Sequence, residues 1–197
     1  MMLDAKKHNL LVVSGPSGVG KGTLVSALLE LVPDICLSIS VTTRPPRGQE
    51  RHGQDYFFIT PAEFTEMIAS NKLLEYAYVH ENYYGTPKQF VLDKIAAGAD
   101  VILEIDVQGA LQIKQQMPEA VLIFIAPPNL EELERRLRTR AQDSLDAIAG
   151  RLRTSQEELK LIHEYDYLVE NHCLEEALLR LKSIVIAERC KLARQYV

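Results

Sequence analysis

Cysteine is scarce in this chain. Its 197 residues include three, Cys36, Cys173 and Cys190, odd in number, far apart and without a C-x-x-C spacing. That excludes a disulfide framework or a zinc ribbon and suits a reducing cytoplasm. Long apolar runs are missing too: the longest, Ala120 to Ala126, falls far short of the ~20 residues a bilayer span needs, and Asn9 to Val13 is too short for a signal core. There is no basic block or tail to offset a formal net charge of -5, which argues against a general nucleic-acid or membrane-surface binder. Any anion must therefore be captured locally. The five histidines (His8, His52, His80, His163, His172) show neither metal nor triad spacing, and no internal repeat or low-complexity tract is visible.

What is present is a chain with 47% apolar residues, enough to bury one full core with small inserted lobes. Short apolar runs precede helical patterns three times: Leu10 to Val13 before Lys21 to Leu31, Val101 to Ile105 before Ala110 to Met117, and Val121 to Ile125 before Leu130 to Arg140. The alternation predicts an α/β fold with a parallel sheet covered on both faces. Thr60-Pro61-Ala62-Glu63 reads as a capping box with proline at N1, and Thr86-Pro87 and Asn129 as further helix N-caps. Two excursions interrupt the alternation. Ser40 to Thr86 carries turn signals at Arg44-Pro45-Pro46-Arg47-Gly48 and strand-like runs at Tyr56 to Ile59 and Leu73 to Val79, as an inserted lobe would. Leu130 to Glu164 reads as helix, polar break at Ala141-Gln142-Asp143, and helix, a shape suited to a lid.

The strongest local signal is Gly15-Pro16-Ser17-Gly18-Val19-Gly20-Lys21-Gly22-Thr23, between an apolar strand and a helix. Glycines let successive N–H groups converge on one anion, the helix N-terminus adds its positive end, and Lys21 adds a full charge. Gly22 stands where a magnesium-touching hydroxyl is usual, so Thr23 or water would take that place. The strand Val101 to Asp106 ends in two acids, where ligands sit in open parallel sheets; Glu104 and Asp106 could hold hydrated magnesium between phosphates. The plainer alternatives are Asp106 as a helix cap and Glu104 as partner to a basic neighbour. A guanine-reading N-K-x-D is absent, because Asn71-Lys72 is followed by Leu73-Leu74. That disfavours a GTPase.

In the lobe, Arg44 and Arg47 lie on a segment that prolines hold extended, so both guanidinium forks could point at one dianion. Glu75 is a candidate base reader: guanine presents adjacent N1–H and N2–H₂ donors that a carboxylate accepts together, whereas adenine would leave that charge unpaired. A solvated turn and a strand-surface acid are the alternatives.

These residues together resemble the guanylate kinases, through G-P-S-G-V-G-K-G-T, S-V-T-T-R-P-P-R-G, D-Y-F-F, E-Y-A-Y-V, N-Y-Y-G-T, I-L-E-I-D-V-Q-G-A and R-R-L-R-T-R, along nearly the whole chain. The resemblance implies a P-loop three-layer α/β fold: a core of 1–39, 87–129 and 165–197, a mixed α/β GMP-binding lobe at 40–86 and a helical lid at 130–164. It implies that Arg44, Arg47, Tyr56 and Tyr84 hold the GMP phosphate, and that Ser40, Glu75, Thr86 and Asp106 contact guanine. ATP with Mg²⁺ would occupy Gly15 to Thr23, with Arg136, Arg140 and Arg151 on its phosphates and Asn171 near adenine. Gly22, Glu104, Ala141 and Asn171-His172-Cys173 depart from the usual family pattern.

The lid helix offers a bland account of several arginines. Glu131, Glu132 and Glu134 each precede an arginine (Arg135, Arg136, Arg138) by four residues, as on a solvated face. Arg140 instead follows Arg136 by four and is repelled by it, while Arg151 has Ala147 and Ser155 at that spacing. These two are the favoured lid cations. Lys21, Arg44, Arg140 and Arg151 would then carry an in-line transfer from ATP to GMP that asks for positioning and charge neutralisation rather than proton chemistry. The expected protein is a cytoplasmic monomer or homodimer. The rival readings are a kinase for another phosphorylated acceptor, against which Glu75 and Thr86 speak, and a catalytically silent interaction module, against which Lys21 and the complete glycine loop speak.

Overall fold

The computed structural model describes residues 8–79, 81–140 and 145–192, and the side chains of Arg140 and Leu145 fall outside that description, as do His80 and the expected polar break at 141–143. Nine strands, seven α-helices and a short 3₁₀ helix (Ile162–Glu164) follow one another among the described residues. β1 (Leu10–Ser14), β2 (Ile35–Leu37), β7 (Asp100–Glu104), β8 (Val121–Ala126) and β9 (Tyr167–Glu170) form an all-parallel sheet in the order β2-β7-β1-β8-β9. β1 and β8 are buried at every position, as central strands covered on both faces must be.

Alternate residues of β1 feed two separate cores. Leu11 and Val13 pack with Leu24, Val25 and Leu28 of α1 (Lys21–Leu31) and with Leu181 and Val185 of α7 (Leu174–Arg189). Leu10 and Val12 pack on the opposite face with Val91 of α3 (Lys88–Ala96) and with Ala110 and Ile113 of α4 (Val107–Gln116). β1 lies between β7 and β8, so the chain leaves it in one direction and later crosses to the other. That switch of direction opens a crevice at the carboxyl ends of the strands.

A second, mixed sheet holds β3 (Val41–Thr42), β4 (Phe57–Phe58), β5 (Leu73–Val79) and β6 (Asn82–Pro87) in the order β4-β3-β6-β5. It has a small core of its own around Val41, Phe64 and Leu73. Phe64 comes from α2 (Pro61–Ala69), whose capping box is complete: Thr60 Oγ1 accepts from the Glu63 N–H and Glu63 Oε2 accepts from the Thr60 N–H. Asn129 caps α5 (Leu130–Arg140) through the Glu132 N–H, at 2.7 Å. After α5 comes α6 (Leu145–Leu159), and α5 contributes Leu133 and Leu137, and α6 Ile148, to the core on the α1 side.

The expected cap at Thr86-Pro87 is corrected. Pro87 occupies the N-cap position of α3 without a side-chain bond, because the Thr86 hydroxyl is committed elsewhere, to Glu75.

Candidate active site

The glycine loop runs from the end of β1 into α1. Gly18 (φ 82°) and Gly20 (φ 97°) adopt the left-handed region open to glycine. A Cβ on Gly20 would stand 2.6 Å from Asn171 Nδ2. That amide donates to the Val19 carbonyl at 2.8 Å, and Arg136 donates to Val19 O (3.3 Å), Asn171 O (2.9 Å) and Glu132 Oε1 (2.7 Å). Two side chains assigned by resemblance to ATP thus brace the backbone of the loop. Lys21 Nζ donates to the carbonyls of Gly15 (2.6 Å) and Pro16 (3.0 Å), which holds the ammonium over the loop.

Gly22 is faced by Glu104: a Cβ there would lie 3.3 Å and 3.5 Å from the two carboxylate oxygens. The two departures from the family pattern therefore meet in space, the longer acid reaching toward the residue with no side chain. Thr23 is exposed on α1.

A cleft of about 840 Å³ lies beside the loop, a size that accommodates small-molecule ligands. Gly15, Ser17 and Lys21 line it from the loop, and Ser40, Tyr56, Glu75 and Tyr84 line it from the segment that carries the mixed sheet. Glu104 and Asp106 contribute from the end of β7, and Arg151 from α6. Asp106 also accepts the Gly109 N–H at 2.9 Å, so it caps α4 while facing the cleft. The cap and the site reading describe one side chain.

Glu75 occupies an irregularity in β5. Register slips between Leu73, opposite Pro87, and Glu75, opposite Thr86, and Leu73, Leu74 and Glu75 are all buried in succession. A bulge of this kind re-aims a side chain that strict alternation would send elsewhere. Glu75 is 3% exposed, and its Oε1 accepts the Thr86 hydroxyl at 2.6 Å. Burial pushes its pKa up to about 7; the Thr86 hydrogen bonds pull it down and the neighbouring Asp106 charge raises it.

Arg44 is buried, its guanidinium 5.2 Å from the Tyr56 ring centroid, and Tyr56 stands edge-on to Tyr84 at 6.1 Å. The expectation that Arg44 and Arg47 aim both forks at one point is met differently. Glu50 accepts from Arg44 twice (2.8 and 3.0 Å) and from the Arg47 backbone N–H (2.7 Å), while the Arg47 side chain is exposed. The bond to Glu50 raises the Arg44 pKa and holds that of Glu50 below the usual carboxylate range. Glu50 was not identified from sequence; its only signal there is its place three residues beyond Arg47 in a turn.

Glu158 of α6 was missed as well. It lines the cleft, where burial raises its pKa and the Lys21 charge opposes the rise. On α5, Glu132–Arg136 and Glu134–Arg138 pair as expected, but Arg135 pairs with Glu132 three residues back rather than with Glu131. Arg140 closes α5, and its side chain lies outside the described residues.

Known proteins resemble this chain along most of its length. The guanylate kinase family model matches residues 7–188. A guanylate kinase of Syntrophomonas wolfei is 57% identical over 187 residues, covering 95% of this chain and 96% of its relative, and one from Synechocystis is 54% identical over 91% of this chain and 94% of its own length. The crystal structure of guanylate kinase from Anaplasma phagocytophilum superposes with a TM-score of 0.81 at 35% identity, covering 99% of this chain and 93% of that one. On a cleft that joins a glycine loop to a buried carboxylate, and on likeness along almost its whole length, this chain belongs to the guanylate kinase family.

Proposed function

We propose that the chain transfers the γ-phosphoryl group of ATP to GMP or dGMP, giving ADP and the nucleoside diphosphate, in purine nucleotide metabolism. One observation supports this above the others: Glu75 is buried, bound to Thr86, and lines the same cleft as Lys21. An ionised Glu75 accepts the N1–H and N2–H₂ of guanine together, and it offers adenine no donor for its N1. The carboxylate therefore both selects guanine and penalises its competitor.

The triphosphate of ATP lies against the amides of residues 15–23, with Lys21 on its outer oxygens. Arg44, Tyr56 and Tyr84 take the GMP phosphate, and Arg47 joins them from its exposed position. Glu50 holds the Arg44 fork in place within the lobe. A phosphate oxygen of GMP then attacks the γ-phosphorus in line with the departing ADP oxygen, and the protein contributes alignment and charge neutralisation. Arg151 of α6, which lines the cleft, neutralises phosphate charge from the lid side. Asn171 and Arg136 keep the loop in its curved form by holding the Val19 carbonyl. α6 lines one side of the cleft, and closure of the lid helices over bound nucleotides excludes water and limits ATP hydrolysis.

Magnesium fits the residues at the end of β7. Glu104 fills the space beside Gly22, and it and Asp106 offer the hard oxygen donors this ion prefers. Among the described residues no cluster of three His, Cys, Asp or Glu is gathered for a metal, so these acids would hold it largely through water and the nucleotide's own phosphates. When bound, the ion neutralises charge on the β- and γ-phosphates. Among the described residues, no helix is long and apolar enough to cross a membrane, and the three cysteines are free thiols, which suits a reducing cytoplasm.

Coupled ADP release with ATP plus each of GMP, dGMP, AMP and dTMP tests the reading. Turnover with the guanine nucleotides alone is expected. Equal turnover with AMP or dTMP would overturn it.

A further inference from the structure

β5 is an edge strand, so one side of its backbone faces away from β6. At Tyr76, the residue after Glu75, that side is taken by a side chain from the core. Gln112 of α4 accepts the Tyr76 N–H on Oε1 (3.1 Å) and donates Nε2–H to the Tyr76 carbonyl (2.9 Å). One amide thus pairs with both backbone groups of one residue, as a neighbouring strand would.

Gly109 lies one turn earlier on the same face of α4. A Cβ there would stand 2.5 Å from Glu75 Oε2 and 3.1 Å from its carboxyl carbon, both inside contact distance. The carboxylate occupies the room that the missing side chain leaves. The start of α4 is itself fixed where Asp106 accepts the Gly109 N–H. Residues 106, 109 and 112 therefore recur at intervals of three: one anchors the helix, one leaves a slot, and one clamps the backbone beside the reader. Neither Gly109 nor Gln112 lines the cleft, so neither touches a nucleotide there.

We infer that α4 of the core sets the base selectivity of the lobe, with Gln112 and Gly109 as positioning residues that hold Glu75 at the guanine edge. The inference rests on the reading that Glu75 recognises the base. It goes further by placing the control of selectivity on a helix outside the lobe. The bulge at Leu73/Glu75 explains the need: an irregular edge strand has fewer ladder bonds to fix it, and a slip would carry the carboxylate away from its target.

The test compares kcat/KM for GMP with that for IMP, which lacks the 2-amino group, in wild type, Gln112→Met, Gly109→Ala and Glu75→Gln, with ATP affinity measured alongside. Gln112→Met keeps the side-chain length and removes both hydrogen bonds. Its GMP-over-IMP preference should fall at least about fivefold, through a raised KM for GMP, with ATP affinity within about twofold of wild type. Gly109→Ala should fall further, and if it does not fold, Gln112→Met decides alone. An unchanged preference in Gln112→Met beside a collapsed one in Glu75→Gln overturns the inference and leaves the reading of Glu75 standing. An unchanged preference in Glu75→Gln removes that reading, and this inference with it.

Discussion

In the proposed assignment one end of the cleft takes ATP and the other GMP, and the two ends are built in opposite ways. The ATP end is a single run, residues 15–23, in which backbone N–H groups, three glycines at positive φ and one ammonium converge. The GMP end draws Arg44 from a loop, Tyr56 from the entry to β4, Glu75 from a bulge in β5 and Tyr84 and Thr86 from β6. It needs a second sheet, a core around Phe64, and braces from Glu50 and Gln112. The difference teaches what each ligand demands. Phosphate charge is spread over several oxygens and can be cradled by backbone geometry local to the chain. A base edge must be read by a side chain, and that side chain has to be positioned by tertiary contacts.

If the ends are separately built, they should fail separately. The largest effect is expected for Lys21→Ala, with kcat lowered by roughly 10³-fold and circular dichroism and GMP affinity close to wild type. Comparable ADP release by mutant and wild type would break the comparison at the ATP end. Glu75→Gln comes next, lowering kcat/KM for GMP about 10²-fold through loss of a charge-assisted hydrogen-bond pair, with ATP binding little changed; an unaltered KM and kcat would remove Glu75 from the site.

A smaller effect sharpens the contrast at the ATP end. Gly22→Ser should crowd Glu104 and weaken Mn²⁺ binding in the presence of ADP, read by electron paramagnetic resonance, and Glu104→Asp should restore part of the loss. A double-mutant coupling of about 1 kcal/mol is expected, and strict additivity would show that the two residues act independently.

The smallest effect is in pH. Glu75 has a pKa near 7 when folded against an ordinary value of 4.5, so the folded state binds the extra proton between those values. Its contribution to stability is therefore greatest below pH 4.5 and declines as pH rises toward 7. Glu75→Gln should flatten that slope in thermal melts across the window. In the wild type, KM for GMP should rise as pH falls below about 7, because the protonated form accepts fewer hydrogen bonds from guanine.

Legibility from sequence followed the same division. The three strand-helix pairs of the core were readable because burial on both faces leaves continuous apolar runs, and α1 and α5 match their expected bounds residue for residue. Thr60 and Asn129 were readable because a cap is a contact within three residues. The turn of the glycine loop was readable because glycine spacing records backbone geometry directly. Glu75 was named from the chemistry of guanine, but its bulge, burial and perturbed acidity were not accessible. Gln112 meets Tyr76 across 36 positions, and Glu104 faces Gly22 across 82. Nothing local marks such pairs. The mistaken cap at Thr86 has the same cause: its local pattern suited a helix start, and a partner eleven residues away on β5 claimed the hydroxyl. Arg136 and Arg44 show the limit for charges, since an arginine beside a site serves equally to bind a ligand or to brace the walls.

The most direct test of separate construction is calorimetry of ATP and GMP, each alone, against wild type, Lys21→Ala and Glu75→Gln. A crossed pattern is predicted: Lys21→Ala loses ATP affinity and keeps GMP, while Glu75→Gln loses GMP affinity and keeps ATP. Parallel loss of both ligands in either variant, or loss of neither, would contradict the account.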